Sequence, residues 1–163
     1  MTNSEALLAQ VVNLIGERAV VQSTLEPNRI DLTVESAKLL ECIALLTTAR
    51  WGYLSAISGL DLGLESGRLE VLYFFCNQAA VLTLRVPLPR ETPRVPSICG
   101  LIPAATLFER ELMEMFGVVC EGTPNPERLF LPDDWPDGTY PLRKDFLVPA
   151  SPPAPEDSKG CLP

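Results

Sequence analysis

The chain has 163 residues, 47% of them hydrophobic, with 21 acidic against 13 basic side chains and a formal net charge of -8. That length suffices for one substantial core with tails rather than two cores, and the acidic balance excludes condensation on nucleic-acid phosphates or anionic lipid. Histidine is absent, which removes the commonest general base, the commonest neutral metal ligand and the usual sensor of near-neutral pH.

From the amino terminus, Met1 to Ile15 carries Glu5 and no basic residue, with Gln10 and Asn13 interrupting its apolar series. It does not read as a secretory signal, so the chain is expected in the cytoplasm. Ser4 to Gly16 places Leu7, Leu8, Val11, Val12 and Ile15 on one face, an amphipathic helix with Ser4 as N-cap and Gly16 as stop. Ala19 to Thr24 and Arg29 to Val34 flank the turn cluster Glu26-Pro27-Asn28 and predict a hairpin. Ser36 to Arg50 predicts the main packing helix: Ala37, Leu40, Ala44 and Thr47 join Leu39, Ile43 and Leu46 in a broad stripe, and Gly52 follows.

Tyr53 to Leu60 reads as a strand, and Leu69 to Val86 as a hairpin turning at Asn77-Gln78. In that register Leu69, Val71 and Tyr73 oppose Val86, Leu84 and Leu82 on a core face, while Glu70 opposes Arg85 and Leu72 opposes Thr83 outside. A slip of one residue would send Arg85 and Thr83 inward, so the pattern itself selects the faces. Glu41, Asn77 and Gln78 also interrupt the most hydrophobic stretches, leaving no run long enough to span a bilayer.

Pro87, Pro89, Pro93 and Pro96 then predict an extended connector. Ala104 to Phe116 is a short amphipathic helix stopped by Gly117. Within it Arg110 and Glu114 are spaced i,i+4 for an ion pair, and Glu111 is left for a basic residue elsewhere. A structural or inter-subunit use of Glu109, Glu111 and Glu114 is favoured over acid–base catalysis.

From Gly122 on, Pro, Gly and Asp exclude much regular structure, yet Phe130, Leu131, Trp135, Tyr140, Leu142 and Phe146 need burial. Either the segment wraps back over its own domain, or it lies on a partner subunit. Ala150 to Pro163 reads as a solvated tail. The boundaries expected are 1–121 for an α/β (α+β) domain with a mixed or antiparallel sheet flanked by helices, 122–149 for an extended partner-binding segment and 150–163 for a flexible tail.

The five cysteines, Cys42, Cys76, Cys99, Cys120 and Cys161, form no close pair, unlike the spacings that hold zinc or iron-sulfur centres. No glycine-rich phosphate loop or Gly-x-Ser-x-Gly elbow is present. No catalytic, cofactor-binding or metal residue is therefore assigned. A stand-alone enzyme built on Cys120 would lack a histidine to activate it, and a free-standing acidic binding module is the other alternative.

Val95-Pro96-Ser97-Ile98, Ile102-Pro103-Ala104-Ala105 and Glu109-Arg110-Glu111-Leu112-Met113-Glu114-Met115-Phe116-Gly117 carry a specific pattern, as do Leu131-Pro132-Asp133-Asp134-Trp135 and Pro141-Leu142-Arg143-Lys144-Asp145-Phe146. Together they resemble the signature of the thirty-kilodalton (C) subunit family of complex I, NADH:quinone oxidoreductase, and of the related subunit of membrane-bound nickel-iron hydrogenases. Weaker similarity extends through the hairpin and Trp51 to Leu60.

Two positions depart from the family: Thr123 stands where a histidine is usual, and Glu127 where a basic residue is frequent, although Arg128 is present. The Asp-Trp-Pro-Asp-Gly-x-Tyr insertion, with Trp135 and Tyr140, looks more like the hydrogenase and ferredoxin-linked forms.

The resemblance implies a cofactor-free peripheral-arm subunit on the cytoplasmic face of the membrane. Its partners would be a hydrogenase-like large subunit and iron-sulfur subunits, with the iron-sulfur clusters, and nickel-iron in a hydrogenase, held by those partners. It favours partner contact for the irregular segment. On their own chemistry, Trp135 and Tyr140 are expected as buried anchors, with a simple core role as the alternative, and Arg143, directed by Pro141, is expected to bind an acidic partner site, with a solvated charge cluster as the alternative.

Overall fold

The computed structural model describes residues 2–147; the tail expected at 150–163 lies outside them. The first helix, α1, spans Asn3–Ile15. Its cap is Thr2, whose hydroxyl accepts the Glu5 amide at 3.3 Å while the Glu5 carboxylate accepts the Thr2 amide at 2.7 Å. Ser4, the expected cap, is inside the helix, because Glu5 completes a capping box three residues after Thr2 rather than after Ser4. Nor does Gly16 stop the helix in a left-handed turn: it stays right-handed and opens a 3-10 turn over Gly16–Arg18.

Strands β1 (Ala19–Glu26) and β2 (Arg29–Val34) form the expected antiparallel hairpin. A 3-10 turn, Ser36–Lys38, leads into α2 at Leu39–Thr48. Its buried stripe is narrower than expected, because Leu39, Cys42, Ile43 and Leu46 fill it and leave Ala37 and Leu40 outside the core. Gly52 (φ +66) has no room for a side chain, since a Cβ there would collide with the Cys76 carbonyl group. Between helix and glycine, the Trp51 indole donates to the Leu7 carbonyl at 3.0 Å and ties this corner to α1.

Strands β3 (Tyr53–Asp61), β4 (Arg68–Asn77) and β5 (Ala80–Pro89) complete a mixed sheet in the order β1-β2-β5-β4-β3, with β2 and β5 parallel. The long hairpin turns at Gln78-Ala79, not Asn77-Gln78, with Gln78 at φ +54. Leu69, Val71, Tyr73 and Phe75 therefore face Leu88, Val86, Leu84 and Leu82. Each partner moves by two residues from the expected register, so no side chain changes face. The shift sets large groups opposite large ones and adds Leu88 to the core. On the outer face Arg85 now opposes Leu72, yet still reaches Glu70 diagonally at 2.5 Å and Asp31 at 3.1 Å.

Prolines at 87 and 89 lie on β5 rather than in a connector. The Val81 amide donates toward β2, to Asn28, so odd-numbered amides of β5 face that side. Pairing with β2 ends at Arg85, and the donors that Pro87 and Pro89 lack would have faced an open edge.

Beyond it come β6 (Arg94–Pro96), a 3-10 turn over Pro103–Ala105, α3 (Thr106–Phe116) and β7 (Val119–Glu121). Pairing of β6 with β7 in parallel was not legible in so short a run. Phe116 packs on Gly59, which pairs with Val71 on the core face, so α3 covers the same side of the sheet as α1. Gly117 closes α3 in the left-handed region at φ +68, as its sequence position predicts.

Candidate functional site

Three carboxylates of α3 meet three different fates. Glu109 is buried and accepts the Ser97 hydroxyl at 2.8 Å, the Ile98 amide at 2.7 Å and the Cys99 thiol at 3.3 Å, pinning the connector to the helix. Glu114, also buried, accepts three successive amides: Leu129 at 3.1 Å, Phe130 at 2.7 Å and Leu131 at 3.2 Å. Glu111, half-buried, makes no ion pair or hydrogen bond among the described residues, and the basic partner expected for it is not among them.

The expected Arg110–Glu114 ion pair is not formed. Arg110 donates instead to the carbonyls of Glu127 at 2.8 Å and Arg128 at 2.6 Å, so the two side chains clasp opposite ends of one loop. An irregular segment has backbone donors and acceptors that no ladder satisfies. Charge-assisted bonds to them are worth more than an exposed i,i+4 pair. Arg128 closes the same loop on itself through the Pro132 and Asp133 carbonyls and the Asp137 carboxylate.

The remainder of the segment is fastened to the end of α3. Tyr140 lies flat on Gly117, where a Cβ would collide with its ring. The Leu142 amide donates to the Met115 carbonyl at 3.1 Å, and Arg143 Nε to the Phe116 carbonyl at 2.8 Å, satisfying two carbonyls that the helix end leaves unpaired. The Arg143 guanidinium also lies over the Tyr140 ring, 4.5 Å from its centroid. Trp135 stacks with Phe146 at 6.0 Å and donates its indole N–H to the Thr139 carbonyl. Trp135, Tyr140 and Pro141 are half-buried.

Two residues that carry this site were missed in the sequence. Arg90, just past β5, bridges Asp61 and Asp145, while Asp61 also accepts the Gly63 amide at 2.8 Å and the Lys144 amide at 2.7 Å. Burial raises the Asp61 pKa, but the Arg90 and amide hydrogen bonds outweigh it and hold the carboxyl down at about 2.

The segment's backbone is thus bound to its own domain, as the wrap-back reading had it. Several side chains are not: Phe130, Leu142 and Leu147 are exposed, as is Leu107 on α3. A cavity of about 190 Å³ lies beneath the loop, but Arg110, Glu114 and Arg128 on its walls already direct polar atoms to the segment's backbone. Burial raises the Cys99 and Cys120 thiols above their ordinary pKa, and the Glu109 carboxylate adds to it. A thiol held protonated is a poor nucleophile and a poor ligand. Among the described residues no cluster of three metal-ligating side chains occurs, and no helix is long and apolar enough to cross a membrane.

Comparison with known proteins gives a family described as "Respiratory-chain NADH dehydrogenase, 30 Kd subunit", matched over residues 32–152. Formate hydrogenlyase subunit 5 of Escherichia coli (strain K12) is 36% identical over 131 residues, 78% of this chain and 23% of its own length. The NADH-quinone oxidoreductase of Chloroherpeton thalassium has a subunit 41% identical over 123 residues, 71% of this chain and 50% of its own length. The chain therefore spans half or less of these relatives. A chain in the structure of the membrane-bound sulfane sulfur reductase, an archaeal respiratory membrane complex, shares the fold with a TM-score of 0.75 at 22% identity, over 90% of this chain and 87% of that one.

Proposed function

Because the chain belongs to the family of the 30 Kd subunit of respiratory-chain NADH dehydrogenase, we propose that it is a cofactor-free scaffolding subunit of a membrane-associated redox complex. It holds a hydrogenase-like large subunit and its iron-sulfur neighbours in place on the cytoplasmic side, performs no electron transfer itself, and reaches the membrane only through its partners. The observation that carries this reading is the division of labour in 122–147: the backbone is fastened to α3 by Arg110, Glu114 and Arg143, while Phe130, Leu142 and Leu147 point outward. A surface fixed in this way presents apolar groups without first having to order them, which lowers the entropic cost of docking.

A second support is chain length. In the formate hydrogenlyase relative the matched stretch is 23% of the polypeptide, so there the same unit is joined covalently to a much larger one. The same relative favours a second reading, the equivalent subunit of an energy-converting nickel-iron hydrogenase rather than of a quinone reductase. Thr123, in place of the family's usual histidine, points the same way.

Isolation of the tagged chain from its host in mild detergent tests both. A co-eluting large subunit and iron-sulfur subunits are expected, and nickel in that preparation selects the hydrogenase. Recovery of the chain alone would end the proposal.

A further inference from the structure

We propose that the cleft between the connector and the irregular segment is a carboxylate-binding site, in which the free edge of the Arg143 guanidinium receives an Asp or Glu side chain of the large partner subunit. The inference rests on the scaffold reading above and names the contact through which it operates.

Arg143 is the exception among the buried and half-buried arginines. Arg18, Arg29, Arg85, Arg90 and Arg128 each reach a carboxylate, and Arg110 is engaged by two carbonyls. Arg143 is held by its Nε at the Phe116 carbonyl and by its face on Tyr140, and both terminal nitrogens have no acceptor among the described residues. Acidic groups outnumber basic ones in this chain, so a fixed guanidinium without a carboxylate is not explained by a shortage of acids. Glu91 lines the same cleft and makes no ion pair with it.

The direction of that free edge is preset. Tyr140 seats on Gly117, the only residue type that leaves room for it, and the guanidinium lies on Tyr140. A planar fork fixed in this way suits bidentate carboxylate recognition. Burial and the neighbouring Arg90 charge both pull the Arg143 pKa below its ordinary value, so an incoming anion relieves a cation that the fold has already partly desolvated.

Size and surroundings choose the occupant. The cleft holds about 240 Å³, below the roughly 300–1,000 Å³ usual for small-molecule sites, and it suits one protruding side chain. Val119 forms one wall and is exposed, as is Leu142 beside Arg143. Apolar groups open to water around a polar anchor fit a protein surface better than a free metabolite.

The test uses the intact complex. A photo-reactive benzoylphenylalanine replaces Val119, or Thr92, which also lines the cleft, where that replacement prevents assembly, with Val20 of β1, outside the cleft lining, as control. Irradiation is expected to join the cleft position, and not Val20, to one subunit through a peptide containing Asp or Glu. Separately, Arg143→Gln is expected to lower several-fold the salt concentration that strips the chain from the complex, whereas Lys144→Gln leaves it unchanged.

Neutralising the acid found by cross-linking should reproduce the Arg143→Gln effect and add nothing to it, a coupling that a purely internal role of Arg143 would not produce. A complex recovered intact without the cross-link, or one indifferent to Arg143→Gln, overturns this inference and leaves the scaffold reading standing. A chain that never co-purifies overturns both.

Discussion

Arg90 and Asp61 form a buried ion pair between the end of β5 and the end of β3, and the same aspartate accepts the Lys144 amide from the far end of the irregular segment. One pair therefore fastens the sheet and the segment together. Replacing Asp61 with Asn leaves Arg90 buried with only the half-exposed Asp145 as counter-ion. With Asp145 still in reach, the expected loss is at the low end for a broken buried pair, about 3 kcal/mol in urea melts, accompanied by faster proteolysis within 122–147. Unchanged proteolysis of that segment in Asp61→Asn would show that the pair holds the sheet alone.

Asp61 also sets an acid limit. Its folded pKa, about 2, lies below the ordinary aspartate value of about 4, so its contribution to stability is complete above pH ~4 and fades as pH falls toward 2. A shift of this size is worth about 2.5 kcal/mol. The stability difference between the native protein and Asp61→Asn is expected to stay constant from pH 7 to 5 and to shrink between pH 4 and 2. A difference that grew on acidification would refute the assignment.

Glu114 gathers the amides of Leu129, Phe130 and Leu131, and Glu114→Ala leaves all three donors without their acceptor at once. Hydrogen exchange at those amides is expected to accelerate by about tenfold or more, in line with about 1.5–3 kcal/mol for bonds to a charged group. Glu111→Ala, which breaks no bond among the described residues, should leave them unchanged. Equal exchange in the two variants would mean that the loop is held by Arg110 alone.

What the sequence made legible was governed by short-range rules. Period-two alternation in β4 and β5 placed Leu69, Val71 and Tyr73 on the core face even though the turn was set one residue early, because an even shift preserves faces. Gly117 and the amphipathic α3 were equally readable. The Arg110–Glu114 pair was not formed, because i,i+4 spacing describes an isolated helix and says nothing of a loop whose backbone competes for the same charges. Arg90 and Asp61 had no local signal: 29 residues separate them, and the Lys144 amide lies 83 residues from Asp61.

The thiols offer a direct check on the alternative of a cysteine enzyme. Cys99 and Cys120 are buried with their pKa values raised, whereas Cys76 is half-buried. Among the cysteines of the described residues, iodoacetamide under native conditions at pH 8 is expected to modify Cys76 first and to reach Cys99 and Cys120 only on unfolding. Rapid native alkylation of Cys120 would revive the enzyme reading, since it requires an accessible thiolate.

Gly117 couples the helix end to the proposed carboxylate site, and a mutant cycle separates its two roles. Gly117→Ala drives a methyl into the Tyr140 ring and strains a backbone at φ +68. The backbone alone costs about 1 kcal/mol, and the collision adds to it by displacing Tyr140 from beneath Arg143. Tyr140→Ala in the same background removes the collision but not the strain. The double variant should therefore lose less stability than the sum of the two single changes, by about 1 kcal/mol or more. Strict additivity would mean that Tyr140 is not seated on Gly117 in solution, and the preset direction of the Arg143 guanidinium would lose its physical basis.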